Sequence, residues 1–169
     1  MTPCGRRWRG WPPRTRATPS CGRGWGDALV EARELRQAEP HFRAAIAAQL
    51  PSADPYLGLA LCLAATGRAR EAERILDDAA LVEPGNPVVE ANRGALALET
   101  GRLDAAESSL ATAVGLDPDL HQARFNLIRV LARQGRQVEA RAQAEDLLRR
   151  LPTSAPQRPE VERLLRALQ

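Results

Sequence analysis

Lysine is absent from this 169-residue sequence, and all 24 of its Lys+Arg residues are arginines. This absence excludes Schiff-base catalysis by lysine, pyridoxal phosphate attachment and the phosphate-binding loop that ends in Gly-Lys-Ser/Thr. Long hydrophobic runs are missing too. The longest uncharged apolar stretch, Tyr56 to Ala65, is far shorter than the roughly 20 residues that span a bilayer. The sequence therefore predicts no membrane span.

Residues that carry metal or nucleophilic chemistry are few and scattered. The two histidines, His41 and His121, have no neighbouring carboxylate motif, and the three cysteines have no Cys-x-x-Cys spacing. No nucleophile, base and orienting group occur together. We expect no enzyme activity, no cofactor and no metal site. Cys62 lies between two leucines, which predicts a buried hydrophobic role in a reduced, cytoplasmic protein.

The formal net charge of +3 is unevenly distributed along the chain. Residues 1–26 hold six arginines and no acidic residue, whereas the remainder holds 18 arginines against all 21 acidic residues. Nucleic-acid binding needs a basic surface that follows the phosphate backbone. The mildly acidic body therefore disfavours nucleic acid as its partner.

Residues 1–24 are rich in Arg, Pro and Gly and contain no aliphatic run, which predicts a disordered tail. Arg6 and Arg7 are compatible with a twin-arginine export signal, and the composition with a transit peptide, but no apolar stretch of about 7 to 15 residues follows. Trp8 and Trp11 would allow weak stacking on single-stranded nucleic acid. A further alternative is that the tail is non-native and the amino end incomplete, as a misplaced start codon or a fragmentary gene would produce.

From residue 25 onward the sequence resembles itself when it is shifted by 34 positions. Glycine, alanine and proline recur in three columns at this period, which are Gly67, Gly101 and Gly135, then Ala72, Ala106 and Ala140, then Pro84, Pro118 and Pro152. Three independent columns at one period indicate a solenoid of stacked repeats.

Each column has a mechanical reason. Apolar residues on both sides of the glycine recur at helical spacings, so one unit is predicted to be two helices. The glycine ends the first helix because it reaches positive φ without steric cost. The proline stops the second helix. The alanine is small where the two helices cross, which allows their backbones to approach closely.

This 34-residue helix-turn-helix unit resembles the tetratricopeptide repeat (TPR), and the resemblance covers residues 25–154. It implies an all-α fold, a right-handed α-solenoid of stacked helix-turn-helix repeats. The predicted units are a degenerate first repeat at 25–52, repeats at 53–86, 87–120 and 121–154, and a C-terminal capping helix at 155–169. The cap is predicted from one apolar stripe, for which a helix that docks on a partner is the alternative.

Several residues depart from the family pattern. Glu90 and Arg93 stand where an aromatic residue and a leucine are usual. Repeat 121–154 departs from the pattern at Arg124 and at Ile128, which replaces the small residue at the helix crossing. In the first repeat Arg33 takes the place of the turn glycine. Pro40 falls in the predicted second helix of that repeat, where it is acceptable only near a first turn or at a kink.

The resemblance implies a concave groove, lined by the first helix of each repeat, that binds a peptide segment of a partner. The corresponding positions in this sequence are Leu57, Leu61, Asn92, Ala95, Glu99, Phe125, Asn126, Arg129 and Arg133. Asn92 and Asn126 would bind a peptide backbone, and Arg129 and Arg133 would form a fork for a carboxylate. The alternative is a simple solvated helix face.

This groove predicts an amphipathic protein or peptide ligand with an acidic or carboxy-terminal end. Leucines fill two places of the carboxylate clamp known in the family, so an acidic chaperone tail is not supported as the ligand. Three functions follow as hypotheses. The chain is a non-catalytic scaffold, or the TPR portion of a larger, enzyme-bearing bacterial protein, or a weak nucleic-acid binder through its tail. Nothing in the sequence indicates the oligomeric state.

Overall fold

Eight α-helices and no strand make up the part of the chain that this computed structural model describes, which is residues 32–48 and 51–168. In chain order the helices are α1 (Ala32–Ala47), α2 (Asp54–Ala65), α3 (Ala69–Val82), α4 (Pro87–Glu99), α5 (Leu103–Leu116), α6 (His121–Arg133), α7 (Gln137–Arg150) and α8 (Arg158–Ala167). The predicted tail, with its export and nucleic-acid hypotheses, and residues 25–31 of the first repeat lie outside the described residues.

The helix ends predicted from the turn glycines and the recurring prolines are confirmed. Gly67, Gly101 and Gly135 follow the first helices α2, α4 and α6 and adopt φ values of 81°, 77° and 78°. A side chain would be strained in this left-handed conformation. The second helices α3, α5 and α7 each end two residues before the recurring proline. Local chemistry therefore fixes the helix bounds of each repeat.

Helix α1 differs from this plan. It begins at Ala32, so Arg33 lies inside the helix and not in the turn predicted for it. Arginine is a good helix former and, unlike glycine, pays a steric cost at positive φ, so it does not provide that turn. Pro40 lies well inside α1. No helix of the described residues is long and apolar enough to cross a membrane.

The helices stack in sequence, each one packing on the next. The first helices also contact one another, α2 with α4 and α4 with α6, whereas no two of the second helices α3, α5 and α7 pack as closely. Elements that meet at short range lie on the inside of a curved stack. The first helices therefore form the concave wall, and the second helices form the convex side.

The hydrophobic core lies between the first helices of the concave wall and the second helices of the convex side. The recurring alanines Ala72, Ala106 and Ala140 are fully buried, which lets paired helices approach closely. Cys62 is buried and free, as its position between two leucines predicts. Burial raises the pKa of its thiol to about 12, so the sulfur is an inert packing group.

Helix α8 covers the end of α7. Val161 is fully buried against the core of the last repeats. Arg158 donates from Nη1 to the carbonyl oxygens of Leu148 and Leu151, at 2.9 and 3.1 Å. Carbonyls at a helix C-terminus have no intrahelical partner, so this arginine both caps α7 and anchors α8.

Candidate functional site

All nine residues predicted to line the groove lie on α2, α4 and α6, the helices of the concave wall. Their exposure varies along it. Glu99 and Arg133 are exposed, Ala95 and Asn126 are buried, and the other five are half-buried. The wall is thus partly core and partly surface.

The end of the wall formed by α2 is apolar. Leu57 and Leu61 pack against the core cluster of the first repeats and keep part of their side chains at the surface. Phe125 on α6 has the same half-buried position against the core of the last repeats. Side chains of this kind offer apolar area that a ligand can cover.

The two asparagines are more engaged than the sequence predicts. Asn92 donates from Nδ2 to the carbonyl oxygen of Val88 in its own helix, at 2.8 Å. Asn126 is 4% exposed, and its Oδ1 accepts a hydrogen bond from Nη1 of Arg129 at 3.3 Å. Each amide thus already has a partner in its own helix, which is the Val88 carbonyl for Asn92 and the Arg129 side chain for Asn126. Since an amide has two N–H donors, the bond to Val88 leaves one N–H and the Oδ1 atom of Asn92 for a peptide backbone.

The two arginines of the predicted fork both reach from α6 towards α4. Arg129 Nη2 lies 3.5 Å from Oε1 of Glu99, and Arg133 donates from Nη1 to the carbonyl oxygen of Leu98 at 3.2 Å. These contacts orient both side chains along the wall. A guanidinium has five N–H donors, so each arginine keeps donors for a ligand carboxylate.

A ladder of ion pairs joins successive repeats at the turns. Each rung links the arginine after a turn glycine with a glutamate 29 positions earlier, which lies on the second helix of the preceding repeat. The rungs are Arg68 with Glu39 at 2.9 Å, Arg102 with Glu73 at 2.6 Å and Arg136 with Glu107 at 2.6 Å. The ladder helps to fix how one repeat stacks on the next, and so the curvature of the wall.

The last rung shows the electrostatics of the ladder. Arg136 also donates from Nε and Nη2 to the carboxylate of Glu139, at 2.7 and 2.6 Å. Hydrogen bonds from Arg136 hold the pKa of both Glu107 and Glu139 below the ordinary 4.5, and the two carboxylates raise the pKa of Arg136. The rung is thus ionised at neutral pH.

A second ionic cluster lies at the crossing of α6 and α7. The Arg124 side chain is 7% exposed, and its Nη1 lies 2.9 Å from Oδ2 of Asp146 and donates to Oε1 of Gln143 at 2.8 Å. Its Nη2 donates to the carbonyl oxygen of Pro118 at 3.3 Å. A hydrogen bond from Arg150 is the main cause of the lowered pKa of Asp146.

Sequence reasoning missed these cross-helix contacts. The partners are 29 residues apart in the ladder and 30 residues apart in the Glu99–Arg129 pair. Both separations are slightly shorter than the repeat length of 34. A search for opposite charges at these offsets would have found them. The burial of Arg124 has no such signal, because arginine at one position of a helix is ordinarily exposed.

Comparison with known families agrees with this architecture. Two tetratricopeptide repeat models match the chain, one at residues 29–96 and the other at residues 92–156. Together they span most of the sequence and all three complete helix pairs. The chain belongs to the tetratricopeptide repeat family. The TPR fold is a scaffold typical of protein–protein interaction.

Solved TPR structures resemble the chain along most of its length. TTC0263, a thermophilic TPR protein of Thermus thermophilus, has a TM-score of 0.72 and 23% identity, covering 89% of this chain and 86% of its own. MamA of AMB-1 has a TM-score of 0.68 and 21% identity, with coverages of 85% and 83%. YrrB, described as a TPR protein with an unusual peptide-binding site, has a TM-score of 0.64 and 20% identity, with coverages of 84% and 71%.

At these identities the likeness shows the fold alone, an all-α TPR solenoid. No curated protein matches the sequence.

Proposed function

We propose that this TPR chain is a non-catalytic scaffold that binds a peptide segment of a partner protein along the wall formed by α2, α4 and α6. The observation that supports it best is a change of chemistry along equivalent positions. Leu61, Ala95 and Arg129 stand 34 residues apart on successive first helices, and we call them the central row. The row passes from apolar to cationic, as the recognition of one amphipathic segment requires.

The central row also indicates what the ligand offers. Apolar residues of the ligand would cover Leu57 and Leu61, and an acidic or carboxy-terminal end would meet Arg129 and Arg133 on α6. Charge-assisted hydrogen bonds from a guanidinium fork are among the stronger polar contacts that a surface can make. Glu99, beside Arg129, would disfavour a ligand with acidic residues at the middle of the wall.

A defined peptide tests this proposal. The probe is a short fluorescein-labelled peptide with two leucines one helical turn apart and a run of glutamates after them, called the Leu/Glu peptide. Binding is measured by fluorescence anisotropy, and the circular dichroism of each variant verifies that it is folded. We expect saturable binding in which Leu61→Asn weakens affinity by about tenfold or more, since a leucine contact is lost.

The matched control is Leu81→Asn. Leu81 is 80% exposed on α3, away from the concave wall, so this change should leave affinity unaltered. The absence of saturable binding by the unsubstituted chain would contradict the proposal. Equal losses in the two variants would contradict it too.

A further inference from the structure

Helix α8 shares an apolar stripe with α6, although Glu160 and Glu162 take the places of the buried Asn126 and Ile128. Its buried and half-buried apolar residues follow those of α6 at the repeat period of 34. The corresponding pairs are Leu127 with Val161, Val130 with Leu164, and Leu131 with Leu165. Arg163 therefore stands at the same angle from this shared stripe in α8 as Arg129 does in α6. The predicted capping helix therefore has the register of one more first helix.

A hydrogen bond at the start of each helix agrees with this register to within one residue, since the two donors are 34 positions apart and the two acceptors 33. Arg124 in α6 donates to the carbonyl oxygen of Pro118 at 3.3 Å, just beyond the end of α5. Arg158, which is 34 positions later, donates to the carbonyl oxygen of Leu151 at 3.1 Å, just beyond the end of α7. Each arginine thus holds the start of its helix against the end of the preceding one.

This register places Arg163 after Arg129 in the central row. Arg163 is exposed, and no hydrogen bond or ion pair joins it to any other residue that the structure describes. Arg129 and Arg133, in contrast, each have a contact with α4. Arg163 therefore has all of its N–H donors available for a ligand.

We propose that Arg163 on α8 extends the groove and binds, together with Arg129 and Arg133, an acidic segment of the partner protein. This inference rests on the proposed function of the groove and gives its ligand a specific acidic end. Helix α8 then has two roles. It covers the last repeat, and it sets how far the acidic run of the ligand can extend along the groove.

The distribution of charge supports this location. Residues 121–169 contain ten arginines against five acidic residues, whereas residues 53–120 contain five arginines against twelve acidic residues. An acidic segment is therefore attracted to the end formed by α6 to α8 and repelled by the repeats before it. Charge complementarity favours an acidic segment of another protein as the occupant at Arg163.

The test compares Arg163→Glu with Arg149→Glu in the anisotropy titration of the Leu/Glu peptide. Both variants carry the same change of charge in the same third of the chain. Arg149 is 70% exposed on α7, which is a helix of the convex side. We expect Arg163→Glu to weaken affinity by about tenfold and Arg149→Glu by less than about twofold.

A peptide with a longer run of glutamates distinguishes a direct contact with Arg163 from a general electrostatic attraction to the surface. Extending the run should increase the affinity of the unsubstituted chain, and this gain should disappear in Arg163→Glu but persist in Arg149→Glu. A peptide with lysines in place of the glutamates should bind more weakly to the unsubstituted chain. Lowering the salt concentration should strengthen the preference for glutamate.

Each contrary outcome is informative. If the Leu/Glu peptide binds and depends on Leu61, but Arg163→Glu and Arg149→Glu behave alike, the role of Arg163 is overturned while the groove stands. If the peptide does not bind at all, both proposals fail. If Arg163→Glu abolishes self-association in sedimentation and leaves peptide affinity unchanged, the occupant is a second copy of the chain and this inference is wrong.

Discussion

Repeats 87–120 and 121–154 have the same helix pair but hold it together with different chemistry. At the crossing in the first of them lies Gly94, where an added Cβ would be 2.5 Å from Cγ of Leu110. In the second, the equivalent residue is Ile128, which is fully buried. The period of 34 thus sets where the helices begin and end, whereas the residue at the crossing sets how closely they approach.

The ionic contacts of the two repeats also differ, both in how deeply they are buried and in which helices they join. Arg93 in repeat 87–120 has a side chain that is 39% exposed, and it lies 3.0 Å from Asp77 on α3 of the preceding repeat. Arg124 in repeat 121–154 is only 7% exposed and is held by Asp146. A buried pair responds much more strongly to the loss of a partner than an exposed one does. Repeat 121–154 therefore combines a larger residue at the crossing with a buried ion pair between its own two helices.

The largest effect is expected from Ile128→Ala. Shortening this fully buried side chain loses its transfer free energy and leaves a cavity at the crossing of α6 and α7, at a cost of about 3 kcal/mol. Urea unfolding followed by circular dichroism measures it, because all three tryptophans lie before residue 26 and none lies in repeats 53–154. A loss below about 1 kcal/mol would mean that Ile128 is not a central packing residue.

The next effect is expected from Arg124→Met. The substitution keeps most of the volume of the side chain but leaves Gln143 and the Pro118 carbonyl without their donor. Asp146 keeps Arg150 as a partner, so we expect a loss of about 2 kcal/mol in the free energy of unfolding. The matched change Arg93→Met should cost less than about 1 kcal/mol, because that pair is exposed. Equal costs would remove the distinction between the two repeats.

Gly94→Ala should follow, with a loss of about 1 to 2 kcal/mol in the same measurement. The new methyl group would meet the side chain of Leu110 and approach its backbone nitrogen at 3.1 Å, so α4 and α5 would have to separate. The better helix propensity of alanine offsets part of this cost. Gly115→Ala, where the added group meets nothing, is the control and should be neutral or stabilising.

The smallest effect concerns the pH dependence of the last rung of the ladder. Arg136 lowers the pKa of Glu107 and Glu139, so their contribution to stability is present above the ordinary pKa of 4.5 and is lost as the pH falls through the lowered values. Arg136→Gln should therefore be less stable than the unsubstituted chain at neutral pH, and this difference should shrink in acid. A difference that is constant with pH would show that the rung is not electrostatic.

The fold could be predicted from the sequence because its signals are local. The turn glycines and the terminating prolines each act on the few residues around them, and the recurring alanines mark the crossings by size alone. Arg33 is the exception, since a turn cannot be inferred from the register of later repeats when its glycine is missing. The position of the groove residues on the first helices follows from the same register.

The chemistry of the groove was less predictable. Which atoms Arg129 and Arg133 contact depends on the angle between α4 and α6, and this angle depends on packing between residues that are distant in sequence. The same holds for Arg124, whose burial comes from α7. The place of Arg163 in the central row becomes evident only when Val161, Leu164 and Leu165 of α8 are seen to pack as their counterparts in α6 do.

The most direct test of the account locates the ends of a bound peptide on the concave wall. A nitroxide spin label at the glutamate end of the Leu/Glu peptide broadens the NMR signals of nearby backbone amides. We predict broadening in α6 and α8 and undisturbed signals in α2, with the opposite pattern when the label is moved to the leucine end. Broadening centred on α3, α5 or α7, or the same pattern from both labels, would contradict a graded groove on the concave wall.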